Sequence, residues 1–313
     1  MKPTQQTTLR NSVTLTGRGV HSGEEIRLVL HPAEANHGIA FLRTGLPQGA
    51  ERLIEARHVA VSATELCTVI GERESGAVAT IEHLMSALYG LGIDNVLVEI
   101  DGVEVPILDG SAAPFVAAVD QAGIALAGAP RRYLKILKPI RVSQGRAFSE
   151  LRPADRFELD VEIDFPDDVI GRQRKHFVLA SRAYRQEICR ARTFGFMRDV
   201  ERLWKAGFAL GASLENTVAV SDEGVVNPEG LRYPDEFVRH KLLDAIGDLA
   251  LAGLPILGAY KSYCGGHRLN VAVLQALFAE RSNFAIVEEG RREPGYADIA
   301  ASIAVAAFAP NTH

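Results

Sequence analysis

The sequence predicts an α+β fold built from two halves with a similar order of strands and helices. The chain has 313 residues, about twice the usual size of one domain, which favours two domains. With 47% hydrophobic and 23% charged residues, it has a globular composition and ample apolar surface for a core. In each half, strands are followed by helical patterns, so we expect two similar domains.

The first half opens with short β-branched segments in which apolar and polar residues alternate. Residues 12–16 and 26–30 have this pattern and are separated by glycines, which predicts an antiparallel hairpin or meander. Residues 95–100 resemble another strand, and residues 114–122 have the composition of a helix. The first half therefore predicts strands, a helix, a strand and a second helix.

The first of these helices is predicted over residues 80–90, where apolar residues recur at helical spacing and glycines follow. Thr80 is the predicted cap of this helix. Glu82 and His83 then lie in its first turn. An acidic residue there is also favourable for the helix dipole alone, so Glu82 has a purely structural alternative.

The boundary between the halves is predicted at residues 127–132, which combine turn residues and charge with little apolar content. This gives a first domain over residues 1–127 and a second over residues 131–303. In the second half we expect strands over 133–137, 147–151 and 157–165, and helices around 183–188, 200–206 and 236–251.

The helix over residues 236–251 carries His240 and Asp244, which are four residues apart and therefore on one face. Asp248 continues this face by one turn. The helix can be aligned with the earlier one so that His240 matches His83, which predicts that both helix starts meet at a shared interface. His83, His240 and Asp244 would then leave one tetrahedral position open, as in a catalytic zinc site. A solvated polar helix face is the alternative.

Two further side chains are candidates for acid–base chemistry. Glu82 precedes His83 and could take a proton from water while staying outside the metal's ligands. His267 follows two glycines that allow a close backbone approach, although an ordinary turn histidine fits equally well. No role is assigned to the remaining surface or core histidines, which are His31, His37, His58, His176 and His313.

Residues 190–196 and the apolar stripe that follows could bind a substrate. The first segment offers a hydroxyl, two guanidinium groups and two aromatic rings, suited to a polar or nucleotide group, or it is a plain loop. The stripe includes Val200 and Phe208 at broadly helical spacing. Core packing is the usual explanation of such a stripe.

Charge and cysteine content exclude several classes of protein. A net charge of -5 provides no general attraction to nucleic acid, although a local basic pocket could hold one diphosphate. The three cysteines lack the spacing of a disulfide framework or a cysteine-rich zinc site, which favours a reducing compartment. The N-terminus lacks a signal-peptide core, and no apolar run suggests a transmembrane segment, so we expect a cytoplasmic protein.

Together these motifs resemble the UDP-3-O-acyl-N-acetylglucosamine deacetylase family. The likeness spans almost the whole chain up to about residue 303. Its principal motifs lie at residues 80–84, 191–199, 237–249 and 266–270, with further matches at 19–23, 66–68, 91–95 and 109–115. The resemblance implies two α+β domains, each a small, mainly antiparallel sheet packed with helices, which together form a β-α-α-β sandwich around the active site.

The resemblance also implies roles for individual residues. His83, His240 and Asp244 would be zinc ligands, with Fe²⁺ as an alternative ion in the cell. Glu82 would be the general base, and His267 the general acid oriented by Asp248. The further implied roles are stabilisation of the oxyanion by Thr193, contact with the nucleotide-sugar by Phe194 and Lys241, proximity to the site of His21 and Cys67, and an acyl passage over residues 200–213 that includes Val200 and Phe208.

The implied activity is removal of acetate from UDP-3-O-acyl-N-acetylglucosamine, the committed step of lipid A biosynthesis. We expect a monomer that comes transiently close to the inner membrane. The alternatives are a zinc amidohydrolase of another nucleotide-sugar and a non-catalytic nucleotide-sugar sensor. Glu65 and Gly265 depart from residues common in the family.

Overall fold

The computed structural model describes residues 4–288, so the predicted domain limits at residues 1 and 303, and His313, lie outside the described residues. The first strands are β1 (Gln5–Leu9), β2 (Val13–Arg18), β3 (Glu25–Pro32), β4 (Ile39–Arg43), β5 (Arg52–Glu55), β6 (Val61–Ala63), β7 (Val69–Ile70), β8 (Val96–Ile100) and β9 (Ile124–Pro130). The later strands are β10 (Arg132–Ile136), β11 (Ile140–Gln144), β12 (Ala147–Arg152), β13 (Phe157–Asp164), β14 (Arg172–Val178), β15 (Phe194–Phe196), β16 (Val218–Ser221), β17 (Gly224–Val225), β18 (Ile256–Tyr263) and β19 (Phe284–Glu288). The α-helices are α1 (Glu82–Leu91), α2 (Ala113–Ala122), α3 (Ser181–Glu187), α4 (Val200–Lys205), α5 (Glu236–Leu249) and α6 (His267–Ala279).

Two sheets form the outer layers of the molecule. The first has the order β2-β3-β8-β4-β5 and is antiparallel except where β4 runs parallel to β8. The predicted hairpin is its β2–β3 pair. The second sheet is centred on β18, which pairs antiparallel with β12 and parallel with β10 and β13, while β11, β14 and β19 extend it.

Helices fill the space between the sheets. α2 contacts β2 of the first sheet, α1 packs against α2 and α5, and α5 contacts β13 and β14 of the second sheet. A single apolar core runs through these layers and includes Leu28, Leu84, Leu243 and Leu159. Because each sheet and helix buries one apolar face against its neighbour, this layering accounts for the stability of both halves. The predicted α+β fold of small, mainly antiparallel sheets packed with helices is confirmed.

One local prediction differs from the structure. Thr80 does not cap α1; it has a φ of 57°, and its hydroxyl donates to Glu104 Oε2 at 3.1 Å. Residues 127–130 of the predicted boundary belong to β9, which pairs with β1 in a two-stranded ribbon, and Arg132 begins β10. The residues of β9 alternate between exposed and half-buried positions, which explains the weak apolar signal. The division into domains at this point stays a prediction.

None of the helices within residues 4–288 combines the length and the apolar character that crossing a bilayer requires.

Candidate active site

The site lies where α1 and α5 pack against each other. The rings of His83 and His240 meet edge to face, with centroids 5.0 Å apart. Gly247 makes this approach possible, because a Cβ atom at that position would overlap the carbonyl oxygen of Glu82. Glycine inside a helix is unfavourable by about 1 kcal/mol relative to alanine. Its presence in α5 is explained by the close contact that joins the two halves of the site.

Three side chains at this contact could hold a metal ion. The ligand atoms of His83, His240 and Asp244 lie within 4.8 Å of one another, and all three residues are buried. Asp244 Oδ1 lies 3.3 Å from His240 Nε2 and 3.6 Å from His83 Nε2. Ligands bound at about 2.1 Å in a tetrahedron are roughly 3.4 Å apart. These separations therefore fit a tetrahedral ion.

The protonation and bonding of these side chains support the same conclusion. His240 Nδ1 donates to the carbonyl of Ala191 at 3.1 Å, which leaves Nε2 free to bind a metal. Burial, reinforced by His83 and Lys241 and opposed by Asp244, lowers the pKa of His240 to about 4, so its ring is neutral. Asp244 Oδ1 is buried without a hydrogen-bond partner among residues 4–288, an arrangement that a bound cation would explain.

Lys241 lies beside the candidate ligand rather than free in a pocket. Its Nζ donates to Asp244 Oδ2 at 2.7 Å, so it orients the carboxylate whose other oxygen faces the histidines. Burial opposes ionisation of Asp244, but His240 and Lys241 outweigh it and hold the pKa of Asp244 well below its usual range. Asp244 is thus a carboxylate in the working pH range, as metal binding requires.

Glu82 is adjacent to this cluster but is not one of its three members. Its Oε2 accepts a hydrogen bond from the backbone N–H of Thr68 at 3.1 Å. Burial raises the pKa of Glu82, although His267 and His83 partly oppose this effect. A carboxylate whose pKa is raised in this way is a better proton acceptor than an ordinary surface glutamate.

His267 is the first residue of α6 and not part of a turn. Its Nδ1 lies 2.8 Å from Asp248 Oδ2, and its Nε2 lies 3.8 Å from Glu82 Oε1. Burial opposes the charge on His267, but the carboxylates of Asp248 and Glu82 raise its pKa to about 9. The His267 side chain is therefore protonated at neutral pH. It lies beside the carboxylate of Glu82, whose own pKa is set by different neighbours. Such a pair can divide acid and base duties.

Thr193 and Phe194 flank His240 on one segment. The Ala191 carbonyl holds the His240 ring, and the Phe194 ring lies with its centroid 6.1 Å from the same ring. Thr193 is between these two contacts, and its backbone N–H donates to the carbonyl of Gly110 at 2.8 Å. The structure therefore places this predicted segment beside His240, one of the three candidate metal ligands.

His21 and Cys67 are both in the first half of the chain, His21 beside Phe208 and Cys67 near Glu82. The ring of His21 meets the Phe208 ring edge-on at 5.5 Å, and its Nδ1 accepts a hydrogen bond from Ala209 N at 3.4 Å. Burial lowers the pKa of His21 against the effect of Glu104. Cys67 is buried, and burial together with the charge of Glu82 raises its pKa to about 12, so the thiol is protonated.

The apolar stripe is only partly packed into the protein. Val200 begins α4 and is half-buried, while Phe208 is 37% exposed. The segment after α4 is joined to the chain around His21, because Leu210 N donates to the His21 carbonyl and Gly211 N donates to the Val20 carbonyl. The stripe therefore forms a surface beside His21 rather than a conventional core helix.

Sequence reasoning missed three polar residues that support the site. Thr68 was noted only as part of a motif, yet its hydroxyl donates to Asp248 Oδ1 at 2.6 Å. Asn270 Nδ2 donates to Asp248 Oδ2 at 2.8 Å. Glu104 is buried and accepts from the backbone of His21 and Ser22. The signal for Thr68 and Asn270 is their place in the matching segments 66–68 and 266–270, whereas Glu104 is marked only as a polar residue within an apolar segment.

The structure shows the surroundings of Glu65 and Gly265, which depart from residues common in the family. Glu65 is exposed, so its charge remains solvated. At Gly265 a side chain would collide with Ser262 Oγ and approach Ser149 Oγ at 3.1 Å. A hydroxyl thus already fills the space that a residue at position 265 would occupy, which explains the glycine.

Comparison with known proteins agrees with this geometry. A family model described as UDP-3-O-acyl N-acetylglycosamine deacetylase matches residues 6–279. Proteins named UDP-3-O-acyl-N-acetylglucosamine deacetylase from Brucella ovis, Brucella canis and Brucella abortus are each 50% identical to the chain over 285 residues. Each alignment covers 90% of this chain and 98% of the relative. The chain therefore belongs to the UDP-3-O-acyl-N-acetylglucosamine deacetylase family.

Proposed function

We propose that the protein hydrolyses the N-acetyl group of UDP-3-O-acyl-N-acetylglucosamine, giving UDP-3-O-acyl-glucosamine and acetate as the committed step of lipid A biosynthesis. One observation carries this proposal most directly. A buried set of two histidines and one aspartate, which leaves room for a further ligand, lies beside a glutamate and a protonated histidine. Amide hydrolysis needs this combination of a cation, a base and an acid.

We propose Zn²⁺ as the ion, held by His83, His240 and Asp244. Two imidazole nitrogens and one carboxylate oxygen suit zinc, although the same donors also suit Fe²⁺ in the cell. When bound, the ion supplies positive charge that polarises the acetamide carbonyl and favours deprotonation of water at neutral pH. His240 Nε2, which faces Asp244 Oδ1, and the lack of a hydrogen-bond partner for that oxygen among residues 4–288 support this assignment.

Glu82 is the proposed general base. The Thr68 N–H holds Oε2, and Oε1 is on the side of His267. This leaves one carboxylate oxygen to accept the proton of the attacking water. The buried position raises the pKa of Glu82 and so increases its basicity towards that proton.

His267 is the proposed general acid, with Asp248 as its orienting partner. The Nδ1 proton is committed to Asp248 Oδ2, so the Nε2 proton is the one available to the departing amine. An amine leaves poorly as an anion, and protonation therefore has to accompany cleavage of the C–N bond. A pKa of about 9 for His267 keeps that proton in place at neutral pH.

The remaining predicted residues are proposed to bind the substrate. Thr193 would stabilise the oxyanion, Phe194 and Lys241 would contact the nucleotide-sugar, and His21 and Cys67 would line the nearby wall. Val200 and Phe208 would contact the acyl chain. The contact between His21 and Phe208 supports placing the acyl chain beside His21.

The proposed setting follows from the same surface. The exposed apolar side chains of Trp204, Phe208 and Leu210 are suited to an acyl chain that leaves a membrane only briefly. We infer a monomer that acts in the cytoplasm, transiently close to the inner membrane. Sedimentation of the purified protein would test the monomer, since a stable dimer would double the mass.

The decisive experiment measures acetate release from UDP-3-O-acyl-N-acetylglucosamine by the purified protein, after chelation and after zinc is restored. The unacylated sugar is the control substrate. Zinc-restored turnover that depends on the acyl chain supports both the reaction and the substrate. Turnover of the unacylated sugar alone favours another zinc amidohydrolase. Binding without turnover on either sugar favours a nucleotide-sugar sensor, for which the Glu82–His267 pair would have no purpose.

A further inference from the structure

Thr68 connects the base side of the site to the acid side. It lies directly before β7, has no exposed surface, and belongs to the first half of the chain. Its backbone N–H donates to Glu82 Oε2 at 3.1 Å, and its hydroxyl donates to Asp248 Oδ1 at 2.6 Å. Glu82 begins α1 and Asp248 is on α5, so one residue bridges the two helices that form the site.

These contacts close a ring of four residues. Asp248 uses its other oxygen, Oδ2, to accept from His267 Nδ1 at 2.8 Å. His267 Nε2 then faces Glu82 Oε1 at 3.8 Å. Thr68, Glu82, His267 and Asp248 are therefore linked in sequence. Within this ring, both ends of the acid–base pair are held through contacts to Thr68.

We propose that Thr68 is a positioning residue that fixes the placement of His267 relative to Glu82, an inference that rests on the proposed function. The hydroxyl limits rotation of the Asp248 carboxylate, because it donates to Oδ1, whereas His267 Nδ1 and Asn270 Nδ2 both bond to Oδ2. Without that hydroxyl, Asp248 Oδ1 has lost its donor and the carboxylate can turn. The His267 ring, which is bound to Oδ2, turns with it and loses its alignment with the departing amine.

The local backbone supports this role. Leu66, two residues earlier, has a φ of 65°, a left-handed conformation that is unfavourable for a side chain of its size. Strain of this kind persists only where surrounding contacts impose it, and it is common at functional sites. Here it turns Cys67 and Thr68 inward, where the N–H and hydroxyl of Thr68 both find carboxylates.

The test compares Thr68→Val, which removes the hydroxyl at nearly constant shape, with Thr68→Ser, which keeps it. The backbone N–H bond to Glu82 is available to both variants. Thr8→Val is the matched control, since the Thr8 hydroxyl is also buried but accepts from Ala33 N, away from the site. For each protein, kcat, KM, bound zinc and melting temperature are measured with the acylated substrate.

We expect Thr68→Val to lower kcat by about tenfold to a hundredfold, because a small misplacement of a catalytic group costs up to about a hundredfold in rate. KM and bound zinc stay near the wild-type values, because Thr68 bonds Glu82 and Asp248 rather than the three clustered ligands, and Thr68→Ser regains most of kcat. Thr8→Val lowers the melting temperature but leaves kcat unchanged. A loss of stability alone cannot explain a lower kcat in Thr68→Val together with an unchanged kcat in Thr8→Val. A purely structural effect would also not require the hydroxyl that Thr68→Ser retains.

Three results overturn the inference. Thr68→Val with wild-type kcat shows that the hydroxyl is unnecessary, and Thr68→Ser as slow as Thr68→Val shows that the hydroxyl is not the cause. If Thr68→Val does not fold, Thr68→Ala and Thr68→Ser are compared, and equal kcat values reject the role. Wild-type protein without turnover overturns the proposed function itself, and this inference with it.

Discussion

His267 Nδ1 lies 2.8 Å from Asp248 Oδ2, and this contact determines which nitrogen of His267 faces the reaction centre. The same carboxylate also accepts from Asn270 at 2.8 Å, so its negative charge is fixed beside the ring. Nε2 is thereby directed towards Glu82, 3.8 Å from Oε1. The histidine can hold a proton at this position without sharing it with Asp248.

The first prediction concerns the alkaline limit of activity. Since the pKa of His267 is raised from 6.5 to about 9, the acid is protonated at neutral pH and loses its proton as pH rises. A bound cation nearby lowers this value, so the alkaline limb of kcat should fall between these two limits. His267→Gln should retain zinc, lose about a hundredfold to ten-thousandfold in kcat, and show no such limb.

The measurement is a pH profile of kcat for both proteins under zinc saturation. Asn270→Asp is not a suitable control, because it adds a charge at Asp248. His176→Gln is better, since His176 is exposed and lies on β14. An alkaline limb that persists unchanged in His267→Gln would assign the limb to another group.

The second prediction concerns Glu82. Glu82→Gln removes the base but retains its shape, and we expect kcat to fall by about a hundredfold to ten-thousandfold. Zinc content should be unchanged, because Glu82 is not among the three clustered ligands. Burial already raises the pKa of Glu82, so a neutral amide should not lower the melting temperature. Glu65→Gln, at an exposed position, should behave as wild type. Near-normal turnover of Glu82→Gln would exclude it as the base.

The third prediction separates two roles of Lys241. Its Nζ donates to Asp244 Oδ2, so Lys241→Met should weaken zinc affinity by about tenfold to a hundredfold. Zinc affinity is measured by competition with a chelator, and KM is then measured at saturating zinc. Lys175→Met is the control, because Lys175 has a similar partner in Glu187 away from the site. Unchanged zinc affinity with a raised KM would leave only a substrate contact for Lys241.

The sequence carried the local part of the site better than its long-range part. His240 and Asp244 are four residues apart on one helix, so their shared face follows from helical geometry alone. The prediction that His240 and Asp244 lie beside His83 rests on an approximate repeat and on a family resemblance. Thr68 could not be placed, because its partner Asp248 is 180 residues away. The prediction that Thr80 caps α1 is wrong, because its hydroxyl donates to the buried carboxylate of Glu104 instead.

The fourth prediction tests the close approach of α1 and α5. Gly247→Ala places a Cβ against the Glu82 carbonyl, which is backbone and cannot move aside easily. We expect overpacking to cost about 1–3 kcal/mol, more than the gain of up to about 1 kcal/mol in helix propensity. Denaturant unfolding measures the loss, and turnover should fall with it because Glu82 is displaced. Gly195→Ala, where the added Cβ meets no atom within 4 Å, is the stability control. A Gly247→Ala protein as stable as wild type would show that the helices can separate freely.

The fifth prediction concerns Glu104, which joins the site to the proposed acyl surface. Its carboxylate accepts from His21 N, from Ser22 N at 2.6 Å, and from Thr80 Oγ1. In Glu104→Gln the remaining carbonyl oxygen can still accept from both backbone N–H groups, but it lacks the carboxylate charge that strengthens these bonds, and the NH₂ group cannot accept from Thr80 Oγ1. The chain at His21 should shift, and with it the segment that contains Phe208.

The expected result of Glu104→Gln is a rise of about tenfold in KM for the acylated substrate, equal to roughly 1.4 kcal/mol, with little change in zinc content. The change in kcat should be smaller than the change in KM, because Glu104 bonds His21, Ser22 and Thr80 rather than Glu82 or His267. Glu99→Gln is the control, because Glu99 bonds His31 at a half-exposed position. The difference in KM between Glu104→Gln and wild type should become smaller as the acyl chain of the substrate is shortened. An equal rise in KM for every chain length would mean that Glu104 acts on the nucleotide-sugar rather than on the acyl surface.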